Sequence, residues 1–129
     1  MTKDEMIART TAYFADVDRF DTDAIMSHFA GNAVMDVPSH GTVNRGLDEI
    51  RASYERRATV VKASWHGDFV FMADEVAGRI AVRLAVKRTT KDDVYEVTDN
   101  VTIIEFTPYA DGGKIARLSA WLPGRNTLK

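Results

Sequence analysis

The chain has 129 residues, 45% of them hydrophobic and 28% charged, with 17 Lys+Arg against 19 Asp+Glu and no cysteine. That composition describes one folded domain over residues 1–129, large enough to enclose a pocket and too short for a second core. A net charge of -2 lacks the basic footprint that nucleic acid or anionic lipid requires, and without cysteine there are no disulfides, thiolate nucleophiles or thiolate metal sites. MTKDEMIART has no apolar signal core and no apolar run nears the ~20 residues of a membrane span, so a cytoplasmic protein is expected.

Thr2-Lys3-Asp4-Glu5 has the spacing of a capping box, with Thr2 bonding the Glu5 amide and Glu5 returning to the Thr2 amide. The helix it opens carries Met6, Ile7, Thr10, Tyr13, Phe14 and Val17 at three- and four-residue steps, which places Tyr13 on the buried stripe. Asp21 or Thr22 caps a short second helix with Ile25, Met26 and Phe29, closed by Gly31. A strand is expected over 33–37, ending at Pro38. A third helix follows Gly46, with Leu47, Ile50, Tyr54 and Ala58 on one side.

From Val60 the period changes to two. Over 79–87, Ile80, Val82, Leu84 and Val86 alternate with Arg79, Ala81, Arg83, Ala85 and Lys87, the pattern of a strand with one apolar face. Strands are also expected over 63–72, 94–107 and 115–122, with turns at 73–75, 89–93 and 111–113. Helices followed by an antiparallel meander define an α+β fold, helices packed on one face of a curved sheet.

No strong catalytic motif is present. There is no GxSxG elbow, and Gly112-Gly113 reads as a hairpin turn rather than a phosphate cradle. His28, His40 and His66 form no short paired motif, so no metal site is expected. The chemistry-bearing candidates are polar groups on apolar elements. Tyr13 and Tyr54 lie on helix faces turned toward the sheet, where each phenol needs a partner. Asp36 sits in a strand between Met35 and Val37, with His40 beyond the proline. Asn100, Thr102, Ile104 and Phe106 share one strand face and Val101 and Ile103 the other, and alternation leaves open which face meets a cavity. Trp65 and Trp121 fill either a pocket wall or a core. Trp65, Asn100, Thr102 and Leu118 are the candidate ligand-lining residues.

The order of elements resembles the SnoaL-like and ketosteroid-isomerase-like branch of the nuclear-transport-factor-two (NTF2) superfamily. The stretch AYFADVDRFDTDAIMSHFAGNAVMDVPSHGTVNRGLDEIRASY, residues 12–54, is similar to the first third of a ketosteroid isomerase, and DGGKIARLSAWLPG, residues 111–124, to its last hairpin and strand. The resemblance implies a cone-shaped, cystatin-like antiparallel sheet with three helices over its concave face, a deep apolar pocket and a homodimer built on the convex face, for which the face of Val101 and Ile103 is the candidate patch. Residue by residue, Tyr13 matches the tyrosine that donates to a developing oxyanion and Tyr54 the tyrosine that supports it. Val37 stands where the family has its aspartate base, with Asp36 one residue earlier, and Thr102 stands where it has a protonated aspartic acid. A one-residue step along a strand reverses side-chain direction, so Asp36 faces away unless a bulge re-aims it.

What the resemblance implies for activity is cofactor-independent acid–base chemistry of isomerase, cyclase, dehydratase or hydrolase type on a small apolar polyketide- or steroid-like ligand. Tyr13 would polarise an oxygen, Tyr54 orient Tyr13, and Asp36 or His40 move a proton. The alternative is a non-catalytic ligand-binding or dimeric interaction module of the same fold, consistent with the loss of both family aspartates.

Overall fold

The computed structural model describes residues 1–128. In chain order it contains α1 (Lys3–Asp18), α2 (Thr22–Ser27), β1 (Phe29–Val37), β2 (Thr42–Arg45), α3 (Gly46–Val60), β3 (Val61–Asp74), β4 (Arg79–Thr90), β5 (Tyr95–Phe106) and β6 (Ile115–Trp121), with 3₁₀ turns at Pro38–His40 and Tyr109–Asp111. The strands form one six-stranded sheet in the order β2-β1-β6-β5-β4-β3. Strands β3 to β6 are the expected antiparallel meander, but β1 joins β6 in parallel, so the sheet is antiparallel at every junction except that one.

Local chemistry explains the helices. Thr2 caps α1 by accepting from the Glu5 amide at 3.2 Å, while its hydroxyl donates to the Glu5 carboxylate, so Glu5 returns to the cap through that hydroxyl rather than through the Thr2 amide. Asp21 caps α2, accepting from the Ala24 amide at 3.1 Å. The buried stripe of α1 is Met6, Thr10, Tyr13, Phe14 and Val17, as the spacing predicts. On α3 the buried row is Ile50, Ser53, Tyr54 and Arg57, whereas Leu47 is exposed. The last turns of α3 therefore turn polar groups inward.

One expectation at the first strand needs correction, and one strand beside it was not expected. Gly31 does not close α2; His28 is its C-cap, and Phe29 already begins β1. The short polar strand Thr42–Arg45, which pairs with β1, has no apolar alternation to announce it. Along β4 the inward row is Ile80, Val82, Leu84 and Val86, and it continues through buried Arg88 and Thr90. On β5 the same face carries Asn100, Thr102, Ile104 and Phe106.

Strand β3 is irregular. Its pairing with β4 shifts between Gly67 and Val70, and Asp68 takes a left-handed φ of 53°. Such a bulge changes the phase of alternation. Ser64 and His66 face the helices before it, and Phe69, Phe71 and Ala73 pack on the core after it. The helices close over this inner face, α1 against β3 and α3 against β1.

Candidate active site

Between the helices and the inner face of the sheet lies a hollow of about 60 Å³. Helix α1 supplies Tyr13, Phe14 and Val17, α3 supplies Tyr54 and Arg57, and the strands add His66, Leu84, Val86, Arg88, Asn100, Thr102 and Leu118. Residues Asn126, Thr127 and Leu128 complete the wall. They are held by hydrogen bonds from Ser53 Oγ to the Leu128 carbonyl at 2.5 Å and from Arg88 to Thr127 Oγ1 and the Arg125 carbonyl.

Tyr13 and Tyr54 meet here. Both are 4% exposed and their hydroxyls are hydrogen-bonded to each other. Burial pushes the Tyr13 phenol well above its ordinary value, and the neighbouring Tyr54 pushes it further. Burial also raises Tyr54, to about 12, against the opposing pull of the hydrogen bond from Tyr13 and the charge of Arg57. Both phenols are therefore protonated at neutral pH and act as donors, not bases. One of the two protons is used between them, leaving a single O–H for a ligand.

A second polar pair serves the same hollow, His66 in its wall and Asp18 bonded to His66. His66 Nδ1 lies 2.6 Å from Asp18 Oδ1, the His66 amide donates to Asp18 Oδ2 at 2.8 Å, and Ser64 Oγ donates to Asp18 Oδ1 at 2.8 Å. The imidazole stacks on the Phe14 ring, centroids 5.0 Å apart. Burial lowers the His66 pKa, offset in part by Asp18, so the ring is neutral at pH 7. Burial acts to raise the Asp18 carboxyl, and the bonds from His66 and Ser64 reverse this, leaving it below the usual carboxylate value. An ionised Asp18 accepts from Nδ1–H and fixes the tautomer in which Nε2 carries a lone pair. Nε2 makes no hydrogen bond to another described residue. This is the geometry of an oriented general base.

The other sequence candidates fall elsewhere. Asn100, Thr102 and Leu118 line the hollow as expected. Asp36 does not: Met35 pairs with the lining residue Leu118, so Asp36, one step on, turns to the outer face of the sheet. There it accepts from Arg117 Nη2 at 2.9 Å and from the Ser119 hydroxyl. No bulge re-aims it. His40 sits in the Pro38–His40 turn, exposed, with Nε2 2.5 Å from the Gly124 carbonyl and Nδ1 2.9 Å from Ser39 Oγ. Neither proposed base reaches the hollow. Trp65 is also outside: it is 43% exposed on the outer face, its indole over Gly67, where a Cβ would collide with the ring, and under Lys87 Nζ at 4.8 Å. His28 bonds Asp16 at 2.6 Å. Among the described residues no cluster of three or more His, Cys, Asp or Glu is placed to hold a metal ion, and no helix is long and apolar enough to cross a membrane.

Residue alternation missed three polar lining groups, His66, Arg57 and Arg88, and the Asp18 that holds His66. His66 lies just before the bulge, Asp18 ends a helix whose periodicity gives it no special place, Arg57 is a charged residue on an amphipathic helix, and Arg88 continues the β4 row two residues past Val86. The last carried a readable signal, since its parity is that of the apolar face.

No protein-family model and no curated protein sequence matches this chain. Solved structures do match over nearly its whole length. A ketosteroid-isomerase-like protein from Catenulispora acidiphila, solved with trimethylamine, superposes with a TM-score of 0.75 at 12% identity, covering 87% of this chain and 82% of its own. An NTF2-like protein from Exiguobacterium gives 0.76 at 19%, covering 91% and 99%. The BvnE pinacolase of Penicillium brevicompactum gives 0.80 at 16%, covering 95% and 88%. The chain therefore has the NTF2-like, ketosteroid-isomerase-like fold expected from the order of its elements.

Proposed function

We propose that this protein is a small-molecule enzyme that moves protons without a cofactor, with His66 as general base and the Tyr13–Tyr54 pair as oxyanion donor. The observation that carries this reading is the convergence of an Asp-oriented neutral imidazole and two hydrogen-bonded phenols on one enclosed, largely apolar hollow. His66 Nε2 removes a proton from the carbon next to a carbonyl, and the C–H electron pair moves onto the carbonyl oxygen. The Tyr54 hydroxyl, whose pKa is pulled back by Arg57 and by its bond with Tyr13, donates to the resulting oxyanion, and Tyr13 in this reading donates to Tyr54. Return of the proton to another carbon gives isomerisation; its delivery to a β-hydroxyl, with release of water, gives dehydration. The pinacolase among the structural neighbours is in keeping with an enzymatic use of the fold.

The hollow as it stands holds only a few heavy atoms, below the ~300–1,000 Å³ of pockets that enclose drug-sized ligands. A polyketide- or steroid-sized ligand would have to displace residues 126–128, so a short substrate fits this reading better. Proton exchange tests it directly. In D2O the protein should exchange the α-protons of short ketones and β-keto acids, followed by NMR, and His66→Gln should abolish the exchange. Binding without exchange across such a panel would leave a ligand-binding module instead. The homodimer is proposed on the outer face of the sheet, where Val70, Val97, Val101 and Trp121 are exposed. Sedimentation showing only monomer at micromolar concentration would remove it.

A further inference from the structure

Arg57 touches no reacting atom in the proton transfer just described and acts there only through its charge on Tyr54, yet it is 5% exposed and lines the hollow. Placing a guanidinium away from water is costly unless an anion compensates it. The other buried arginine of the hollow, Arg88, obeys this rule: its Nη2 lies 2.8 Å from Glu96 Oε2, and it also bonds Thr127 and the Arg125 carbonyl. Arg57 has no such contact: the charge of Asp18 acts on it from a distance, and that carboxylate is already bonded to His66 and Ser64. Among the described residues it forms no ion pair with a carboxylate, and its near neighbour is the Phe20 ring, 5.2 Å from the guanidinium carbon. Asn100, on the opposite wall, is also incomplete, because its Oδ1 is fully buried without a hydrogen-bond partner.

We propose that the hollow binds a short monocarboxylate bearing a hydroxyl group, the carboxylate paired with the Arg57 guanidinium and the hydroxyl donating to Asn100 Oδ1. A planar guanidinium fork matches a carboxylate's two oxygens. One cation without a contacting anion matches one negative charge, and the Asp18 carboxylate, whose charge reaches Arg57, disfavours a dianion such as phosphate. Leu84, Val86 and Leu118 leave an apolar space for a short carbon chain, and the volume limits its length. This inference deepens the proposed function but rests only on the hollow being a ligand site.

The test is a titration of the ¹⁵N-labelled protein with butyrate, 3-hydroxybutyrate and butyramide, following backbone amides and the Arg57 Nε resonance. Both acids should bind at least tenfold more tightly than the amide and shift Arg57 Nε, with 3-hydroxybutyrate ahead of butyrate. The preference for acid over amide should vanish in Arg57→Gln and persist in His66→Gln. Equal affinity for butyrate and butyramide in the wild-type protein, no binding of any probe, or an acid preference that survives Arg57→Gln would overturn the proposal. Should Arg57→Gln not fold, the wild-type acid-to-amide ratio and the Arg57 Nε shift decide the matter. Acid binding with no exchange in short ketones or β-keto acids would sink the catalytic reading and leave this one standing; exchange of neutral ketones without acid preference would do the reverse.

Discussion

Asp18 and Asp36 are both shielded aspartates held by side-chain hydrogen bonds, and they lie on opposite sides of the same sheet. Asp36 joins Arg117 and Ser119 on the outer face, a closed set in which every partner is satisfied. Asp18 joins Ser64 and His66 on the inner face, and one member of that set, the imidazole, has a nitrogen left over. A carboxylate that completes its own network contributes to stability, whereas one that orients a group with spare valence contributes to chemistry. Sequence position alone favoured Asp36; the side of the sheet decides for Asp18.

The widest separation between the two should come from the imidazole. His66→Gln is expected to reduce α-proton exchange on the order of a hundredfold or more, and Asp18→Asn by roughly tenfold or more through loss of ring orientation. The pH profile sharpens this. Because burial lowers the His66 pKa, the base form persists below pH 6.5, and the acid limb of kcat/KM should lie below that value and disappear with the imidazole. Stability should follow the same sign, since the unfolded chain takes up the His66 proton first as pH falls through 6.5, so acidification destabilises the wild-type protein more than His66→Gln.

A smaller effect is expected at the phenols. Tyr54→Phe should slow exchange by about tenfold to a hundredfold, more than Tyr13→Phe, if Tyr54 is the phenol whose hydroxyl meets the oxyanion, as proposed. The reverse order in a kinetic comparison would show that the donor sequence runs the other way. Asp36→Asn should leave exchange within about twofold and cost about 1–2 kcal/mol in a urea melt, through the broken bonds to Arg117 and Ser119. Loss of exchange in that variant would erase the distinction between the two faces. Least affected should be His40→Ala, with unchanged exchange and a stability change within about 0.5 kcal/mol, since its ring is exposed.

The fold was readable because its main elements each keep a clean period, helical steps around Tyr13 and Tyr54 and strict alternation at Ile80. Tyr13 and Tyr54 were readable for the same reason, each lying on a helix row that has to be buried. The parity rule even forecast that Asp36 faces away. It could not forecast His66. On β3 the frame of alternation is reset at Asp68, so Trp65 and His66 cannot be assigned to sides by counting from Phe69 or Phe71, and the aromatic residue drew attention to the wrong one. Asp18 was hidden because its partners are 46 and 48 residues away. Arg57 was hidden by its charge, since arginine on an amphipathic helix ordinarily marks the solvent side.

Residues 126–128 both wall the hollow and are tied to it by Ser53 and Arg88. Capture of any molecule bulkier than the present void is then paced by how often those ties release. Observed association rates should level off at high ligand concentration instead of rising in proportion, and weakening the Arg88–Thr127 bond should raise that plateau.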